Sequence, residues 1–261
     1  MKYGFIGCGN MGYALAKALA CRTMDILICD PILGAERANT LGCQEGTVQE
    51  VAENCDRIFI AVKPNMVREA LLPVQAVLAD KKPLLISMAA GLEIATVEKY
   101  AGTTLPIIRI MPNTPVSVGK GMIGYTPNGL VPEDALRSFL FDMKNAGLWE
   151  QVEEELMDTV SALSGSGPAY VYYFTEALCR GAESCGMDQD QALRYAIATL
   201  EGAAEMMKTG NATPEQLRIA VCSPGGSTLA GLKALDDAGF SDGVAECVKA
   251  AYRRNKELAK M

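Results

Sequence analysis

The strongest constraint on the fold lies in the first twelve residues. A short β-rich run, Lys2–Ile6, leads directly into Gly7-Cys8-Gly9-Asn10-Met11-Gly12, and an Ala/Leu-rich helical stretch, Asn10–Ala20, follows. A lone G-x-G-x-x-G is weak evidence, but between a strand and a helix each glycine has a separate physical reason. Gly7 permits the tight turn, Gly9 lets the backbone approach a pyrophosphate, and Gly12 lets the helix lie close on the strand. The helix start then offers an anion free N–H groups and the positive end of its dipole.

The strand–helix rhythm continues. Asp25–Cys29, Arg57–Val62, Leu84–Met88 and Pro106–Ile110 are short apolar runs, and a helix near Ile32–Leu41 follows the first of them. Such runs separated by helical stretches predict a parallel sheet covered on both faces, joined by right-handed crossovers. The predicted class is therefore α/β, with an N-terminal Rossmann-type doubly wound sheet. Beyond Met111 the Pro/Gly-rich MPNTPVSVGKG reads as a loop. One more strand (Met122–Tyr125), a helix (Glu133–Ala146) and a final strand (Leu148–Val152) complete a dinucleotide-binding domain over residues 1–152.

Residues 153–261 read as all-helical, a substrate-binding and dimerisation domain. Glu154–Cys185 is long enough for one extended helix, bent at Gly165-Ser166-Gly167-Pro168. Asp188 caps a helix running to about Lys208, Thr213-Pro214 is a cap followed by proline at the first helical position, and Ser241–Leu258 is the last helix. The alanines and apolar residues of this half exceed what it buries alone, which points to a surface covered by a second copy.

Composition narrows the chemistry. The chain contains no histidine, which removes a His general acid, a Ser-His-Asp triad, a Cys-His dyad and a His-ligated metal within one chain. A net charge of −7 argues against a general phosphate-backbone binder, so no nucleic-acid partner is expected. No apolar run approaches the roughly 20 residues of a membrane span, and the N-terminus lacks a signal-peptide pattern, so a cytoplasmic protein is expected. The nine cysteines are scattered without a C-x-x-C pair and read as small buried residues; no metal site is expected.

Several positions carry candidate chemistry. Asp30 ends the second strand, where an acidic residue bonds the ribose 2′-hydroxyl and disfavours a 2′-phosphate. Asp30-Pro31 reads equally as a helix cap followed by proline. Arg37 has two readings, a partner for a 2′-phosphate or a solvated helix charge. Ala61-Val62-Lys63-Pro64, Ala89-Ala90-Gly91 and the MPNTP loop containing Asn113 sit at the C-terminal ends of strands, where ligands bind in an open α/β sheet. Ser223-Pro224-Gly225-Gly226-Ser227-Thr228 is a second glycine loop leading into a helix, suited to a carboxylate or serving as a plain hinge.

Taken together, FIGCGNMG at the start, AVKP at 61–64, MAAG at 88–91, RIMPNTP at 109–115, LSGSGPAYVYYFTEAL at 163–178 and VCSPGGSTLAGLKALD at 221–236 resemble the pyrroline-5-carboxylate reductase family. The blocks occur in family order and span nearly the whole chain, and the last two are specific to that family. The resemblance implies hydride transfer from NADPH or NADH to the C=N bond of Δ1-pyrroline-5-carboxylate, giving L-proline. It implies a homodimer with active sites where nucleotide and helical domains meet, and further assembly, commonly to a decamer. It also implies that Ser223, Gly225, Gly226, Ser227 and Thr228 hold the substrate carboxylate, that the Thr228 hydroxyl lies near the ring nitrogen, and that Glu154 approaches the substrate. Gly7, Gly9, Asn10, Met11, residues 61–64 and Ala89–Gly91 would contact the cofactor. Cys222 belongs to the motif and is no nucleophile. Asp30 is a departure, because many family members use NADPH and carry small or hydroxyl residues near that point.

The absence of histidine fits this chemistry, since a protonated imine accepts hydride without a strong enzyme acid, and a neutral one needs only a hydroxyl relay such as Thr228. Two rivals share the first motif. A β-hydroxyacid dehydrogenase needs a lysine acid/base in the first interdomain helix, and no lysine occurs between Lys144 and Lys208. A non-catalytic dinucleotide sensor has no use for the second glycine loop.

Overall fold

The computed structural model describes residues 1–23 and 25–258. Eight strands form one sheet: β1 (Tyr3–Ile6), β2 (Ile26–Cys29), β3 (Gln44–Glu45), β4 (Arg57–Ile60), β5 (Leu84–Ser87), β6 (Ile107–Met111), β7 (Gly121–Pro127) and β8 (Gly147–Gln151). Their order is β3-β2-β1-β4-β5-β6-β7-β8. The first six strands pair in parallel, as do β7 and β8, while β6 and β7 are antiparallel. From β1 the chain winds outward to β2 and β3, then returns to lay β4 on the other side of β1. That reversal creates a crevice at the C-terminal end of β1.

The helices of this part are α1 (Asn10–Ala20), α2 (Gly34–Leu41), α3 (Val48–Asn54), α4 (Val67–Leu71), α5 (Gln75–Lys81), α6 (Ile94–Ala101) and α7 (Glu133–Asp142). Strand alternation divides their packing between two cores. Phe5 and Phe59, in register on β1 and β4, stack at 4.4 Å between ring centroids and pack with Leu15, Leu19 and Phe139. Ile6, Ile58 and Ile60 point to the opposite face and pack with Val51, Val67, Leu78 and Val97. A sheet buried on both faces needs such nearly continuous apolar strands.

Two features that the sequence expectation does not contain have physical causes. The two-residue β3 is polar and exposed, so it lacks an apolar signal. Strand β7, whose direction the sequence reading leaves open, runs antiparallel to β6. Only a 3-10 segment, Thr114–Val118, separates it from β6, and a parallel return requires a crossover of a dozen residues or more.

The expected long helix over 154–185 is segmented. A 3-10 turn, Glu154–Leu156, leads into α8 (Met157–Val160), then a π turn at Ser161–Gly165 and α9 (Gly167–Ser184). The π turn closes with Ser166 N–H donating to the Ser161 carbonyl at 2.9 Å.

The chain divides into two compact units, residues 1–168 with 251–261, and residues 169–250. The sequence boundary after residue 152 marks where strands end, but the first unit also holds the segment after it. Val160 packs over Gly124 of β7, and Glu154 and Asp158 pair with Arg109 of β6.

The second unit comprises most of α9, α10 (Gln189–Thr209), α11 (Pro214–Ala220), α12 (Ser227–Asp237) and most of α13 (Phe240–Leu258). The Asp188 carboxylate caps α10 by accepting the N–H groups of Asp190 and Gln191, and Thr213 with Gln216 forms a capping box on α11. Its buried core is thin, centred on Cys179, Ala192 and Ala196. Val171, Tyr172, Tyr173, Leu193, Tyr195 and Ile197 are exposed instead. A groove of about 940 Å³ runs between α9 and α10, lined by Val171, Tyr172, Leu193 and Ile197 among others.

Candidate functional site

The glycine loop occupies the crevice at the sheet reversal. Gly7 N–H donates to the Cys29 carbonyl at 2.8 Å, and Ala61 N–H donates to the Ile6 carbonyl at 2.8 Å, so the ends of β1, β2 and β4 converge on it. Gly7 has φ +89°, and a Cβ there would stand 2.8 Å from the Ala61 carbonyl. A Cβ on Gly12 would meet both Ala61 Cβ and the Gly7 carbonyl oxygen at 3.1 Å. These two glycines are required by the protein itself. Gly9 is different: its φ of −64° suits any residue, and a Cβ there would meet nothing within 4 Å. Its bare backbone faces open space at the start of α1, and no side chain caps that helix. Open space, free amides and a helix start have the chemistry a pyrophosphate requires, so Gly7, Gly9, Asn10 and Met11 are compatible with a dinucleotide.

Asp30 acts on the same loop. Its Oδ2 accepts the Cys8 N–H at 2.7 Å, while Oδ1 accepts the N–H groups of Ile32 and Leu33 at 3.0 and 2.9 Å. The helix-cap reading is corrected, because α2 begins only at Gly34 after Leu33 and the Asp30 carboxylate instead closes the turn ahead of it. It also clamps the glycine loop, which sequence spacing does not reveal. Partial burial works to raise the Asp30 pKa, but the three N–H donors and the nearby Arg37 charge outweigh it and hold the carboxyl below its ordinary value. Burial, then the Asp30 charge, pushes the Cys8 thiol up to about 12, which leaves it a packed apolar residue.

The other strand-end residues surround this crevice. Ala61 and Val62 are half-buried, and Lys63 is exposed ahead of Pro64, which starts a 3-10 turn. Ala89 is buried, whereas Ala90 is exposed beside the half-buried Gly91. Met88 N–H joins this segment to β4 through the Ile60 carbonyl. Asn113 is buried and committed to the protein: Nδ2 donates to the Ser164 carbonyl at 3.0 Å and Oδ1 accepts the Met122 N–H at 2.9 Å.

Glu154 is also committed in part. Its Oε1 accepts the Ile94 N–H at 2.7 Å and the Arg109 guanidinium at 3.0 Å. Arg109 reaches Asp158 at 3.9 Å, and Asp158 pairs with Lys256 at 2.8 Å. Sequence reasoning missed this network, although an arginine inside the apolar run IIRIM was a signal of a buried ion pair.

In the helical unit, Ser223–Gly226 closes a tight turn, with Gly226 N–H donating to the Ser223 carbonyl at 3.0 Å. Gly225 has φ +70°, and a Cβ on Gly226 would strike Ser223 Oγ. The turn delivers the chain into α12 at Ser227 with no side-chain cap, and Ser223, Ser227 and Thr228 are exposed. The first amides of an eleven-residue helix are therefore left for an external acceptor. Cys222 is turned back, its thiol donating to the Arg218 carbonyl.

Comparison with known proteins agrees with both halves. Residues 154–258 match the family described as pyrroline-5-carboxylate reductase dimerisation, and residues 2–91 match NADP oxidoreductase coenzyme F420-dependent. The pyrroline-5-carboxylate reductase of Aquifex aeolicus is 34% identical, over 99% of this chain and 97% of that protein. That of Escherichia coli K12 is 35% identical, over 99% and 98%. The crystal structure of Plasmodium falciparum pyrroline carboxylate reductase with NADP bound superposes with a TM-score of 0.91 at 31% identity, covering 99% of this chain and 98% of that one. With its glycine cradle, its second glycine loop and this full-length similarity, the chain belongs to the pyrroline-5-carboxylate reductase family.

Proposed function

We propose that this chain catalyses the last step of proline biosynthesis, reducing Δ1-pyrroline-5-carboxylate to L-proline with NADPH or NADH. The observation that carries the reading is the uncapped glycine turn at Ser223–Thr228, whose free amides suit a carboxylate, present in addition to the first glycine loop. A dinucleotide sensor has no use for it, whereas a reductase of a small carboxylated imine does.

Bound reduced nicotinamide supplies the hydride. The chain's own residues supply position and charge. The cradle around Gly9 and the start of α1 hold the pyrophosphate, and residues 61–64 and Ala89–Gly91 line the strand ends beside it. The amides of Ser227 and Thr228, with the Ser223–Gly226 turn, hold the substrate carboxylate. Thr228 offers its hydroxyl to the ring nitrogen and relays a proton when the imine arrives neutral. Glu154 keeps Oε2 for the substrate contact that the family implies, its Oε1 being spent on Ile94 and Arg109. With hydride supplied to the C=N carbon, the ring nitrogen would become the amine of proline, its proton coming from the iminium or through the Thr228 hydroxyl.

The thin core of the helical unit and its exposed Val171, Tyr172, Leu193 and Ile197 support a homodimer through this face, with assembly to a decamer as the larger form. A net charge of −7 argues against a general phosphate-backbone partner, and no described helix is long and apolar enough to cross a membrane. Incubation with reduced dinucleotide deuterated on nicotinamide C4 tests the reaction. Deuterium at C5 of the proline formed is expected; unlabelled proline, or none, would overturn the assignment.

A further inference from the structure

The end of β2 presents two opposed signals, an aspartate that suits NADH and an arginine that suits NADPH. The geometry resolves them. The Asp30 carboxylate accepts three backbone N–H groups, at 2.7, 3.0 and 2.9 Å, so this charge is spent on the loop and the turn. Arg37, one turn into α2, is no freely solvated charge. Its guanidinium lies 4.1 Å from the centroid of the Tyr13 ring on α1, and its Nε is buried without a hydrogen-bond partner. No carboxylate lies within 4 Å of it among the described residues.

A guanidinium is planar, always charged and bidentate toward phosphate, and its contact with an aromatic face restrains it before the ligand arrives. α1 begins at the pyrophosphate cradle and α2 follows β2, so Arg37 and Tyr13 sit on the two elements that flank the adenosine side of a bound dinucleotide.

We infer that Arg37, held over the Tyr13 ring, binds the 2′-phosphate of NADPH, and that Asp30 positions the glycine loop without excluding that phosphate. The chain thereby prefers NADPH over NADH. This rests on the dinucleotide reading of the cradle.

The test is equilibrium binding to the intact protein, by calorimetry or fluorescence, of NADPH, NADH, 2′,5′-ADP and 5′-AMP. The wild type is expected to bind NADPH roughly tenfold or more tighter than NADH, and 2′,5′-ADP tighter than 5′-AMP, about one charge-assisted contact. Arg37→Gln should abolish that preference by weakening NADPH while leaving NADH within about twofold, and Tyr13→Leu should do so in part. An unchanged NADH affinity in each variant also reports an intact fold. A wild type that favours NADH, or an Arg37→Gln protein that keeps its NADPH preference, would overturn the inference while leaving the dinucleotide reading intact. Failure of the wild type to bind either dinucleotide would overturn both.

Discussion

The Asp30 carboxylate accepts the Cys8 backbone N–H at 2.7 Å, tying the end of β2 to the glycine loop that follows β1. The bond is charge-assisted, and hydrogen bonds to charged groups contribute about 1.5–3 kcal/mol. Asp30→Ala should lower unfolding free energy by roughly that amount in urea titration and weaken both dinucleotides together. The pH dependence follows from the depressed pKa. The contribution is present above the unfolded carboxyl value, about 3.9, and is lost as pH falls through the lower folded value. The clamp is therefore expected to hold through the neutral range and fail only in strong acid.

The glycines of the loop separate stability from binding. Gly7→Ala places a side chain at φ +89° and 2.8 Å from the Ala61 carbonyl, so it should cost about 1–3 kcal/mol or more in stability. Gly9→Ala meets nothing in the protein and should leave stability within about 0.5 kcal/mol. It should nevertheless weaken dinucleotide binding by about tenfold or more, since the methyl group occupies the pyrophosphate approach. Thermal unfolding and binding isotherms on the two variants check the contrast; equal affinity in Gly9→Ala and wild type would count against the cradle.

The buried charge network is a third test. Arg109 is 3% exposed, with Glu154 at 3.0 Å and Asp158 at 3.9 Å. Removing one partner of a buried pair leaves an uncompensated charge and costs about 3–5 kcal/mol. Arg109→Ala should lose roughly that much in urea unfolding. Lys256 joins the network through Asp158, whose hydrogen bond raises the lysine pKa. That contribution is complete below the unfolded lysine value, about 10.4, and disappears as pH rises through the higher folded one.

Thr228 carries the proton-relay role proposed above. Thr228→Ala should reduce turnover roughly 10–1,000-fold, the range for losing one positioned polar group, with dinucleotide affinity unchanged. Thr228→Ser should recover much of it, because the hydroxyl remains. Wild-type turnover in the alanine variant would remove Thr228 from the mechanism.

The parts of this molecule that were legible in the sequence are those set by local rules. Strands buried on both faces show as apolar runs, and Asp188 and Thr213 cap the helices their side chains advertise. The glycine motif located the tight loop after β1 because Gly7 and Gly12 answer to steric limits within it. What sequence could not show depends on partners distant along the chain. Asp30 reaches back to Cys8, Arg109 meets Glu154 and Asp158, and Asn113 spends its amide on Ser164 and Met122. The direction of β7 depended on how short a reversal can be, and the polar β3 carried no periodic signal. Glu154 illustrates the limit: family resemblance placed it near substrate, but only coordinates reveal that one of its oxygens already holds α6 and β6 together.

The most direct test of the central claim is to mix purified protein with Δ1-pyrroline-5-carboxylate and follow reduced-nicotinamide absorbance, running NADPH and NADH side by side. Rapid loss of absorbance with stoichiometric formation of proline is expected, faster with NADPH at limiting cofactor. No loss with either dinucleotide, in folded protein that binds them both, would contradict the assigned reaction.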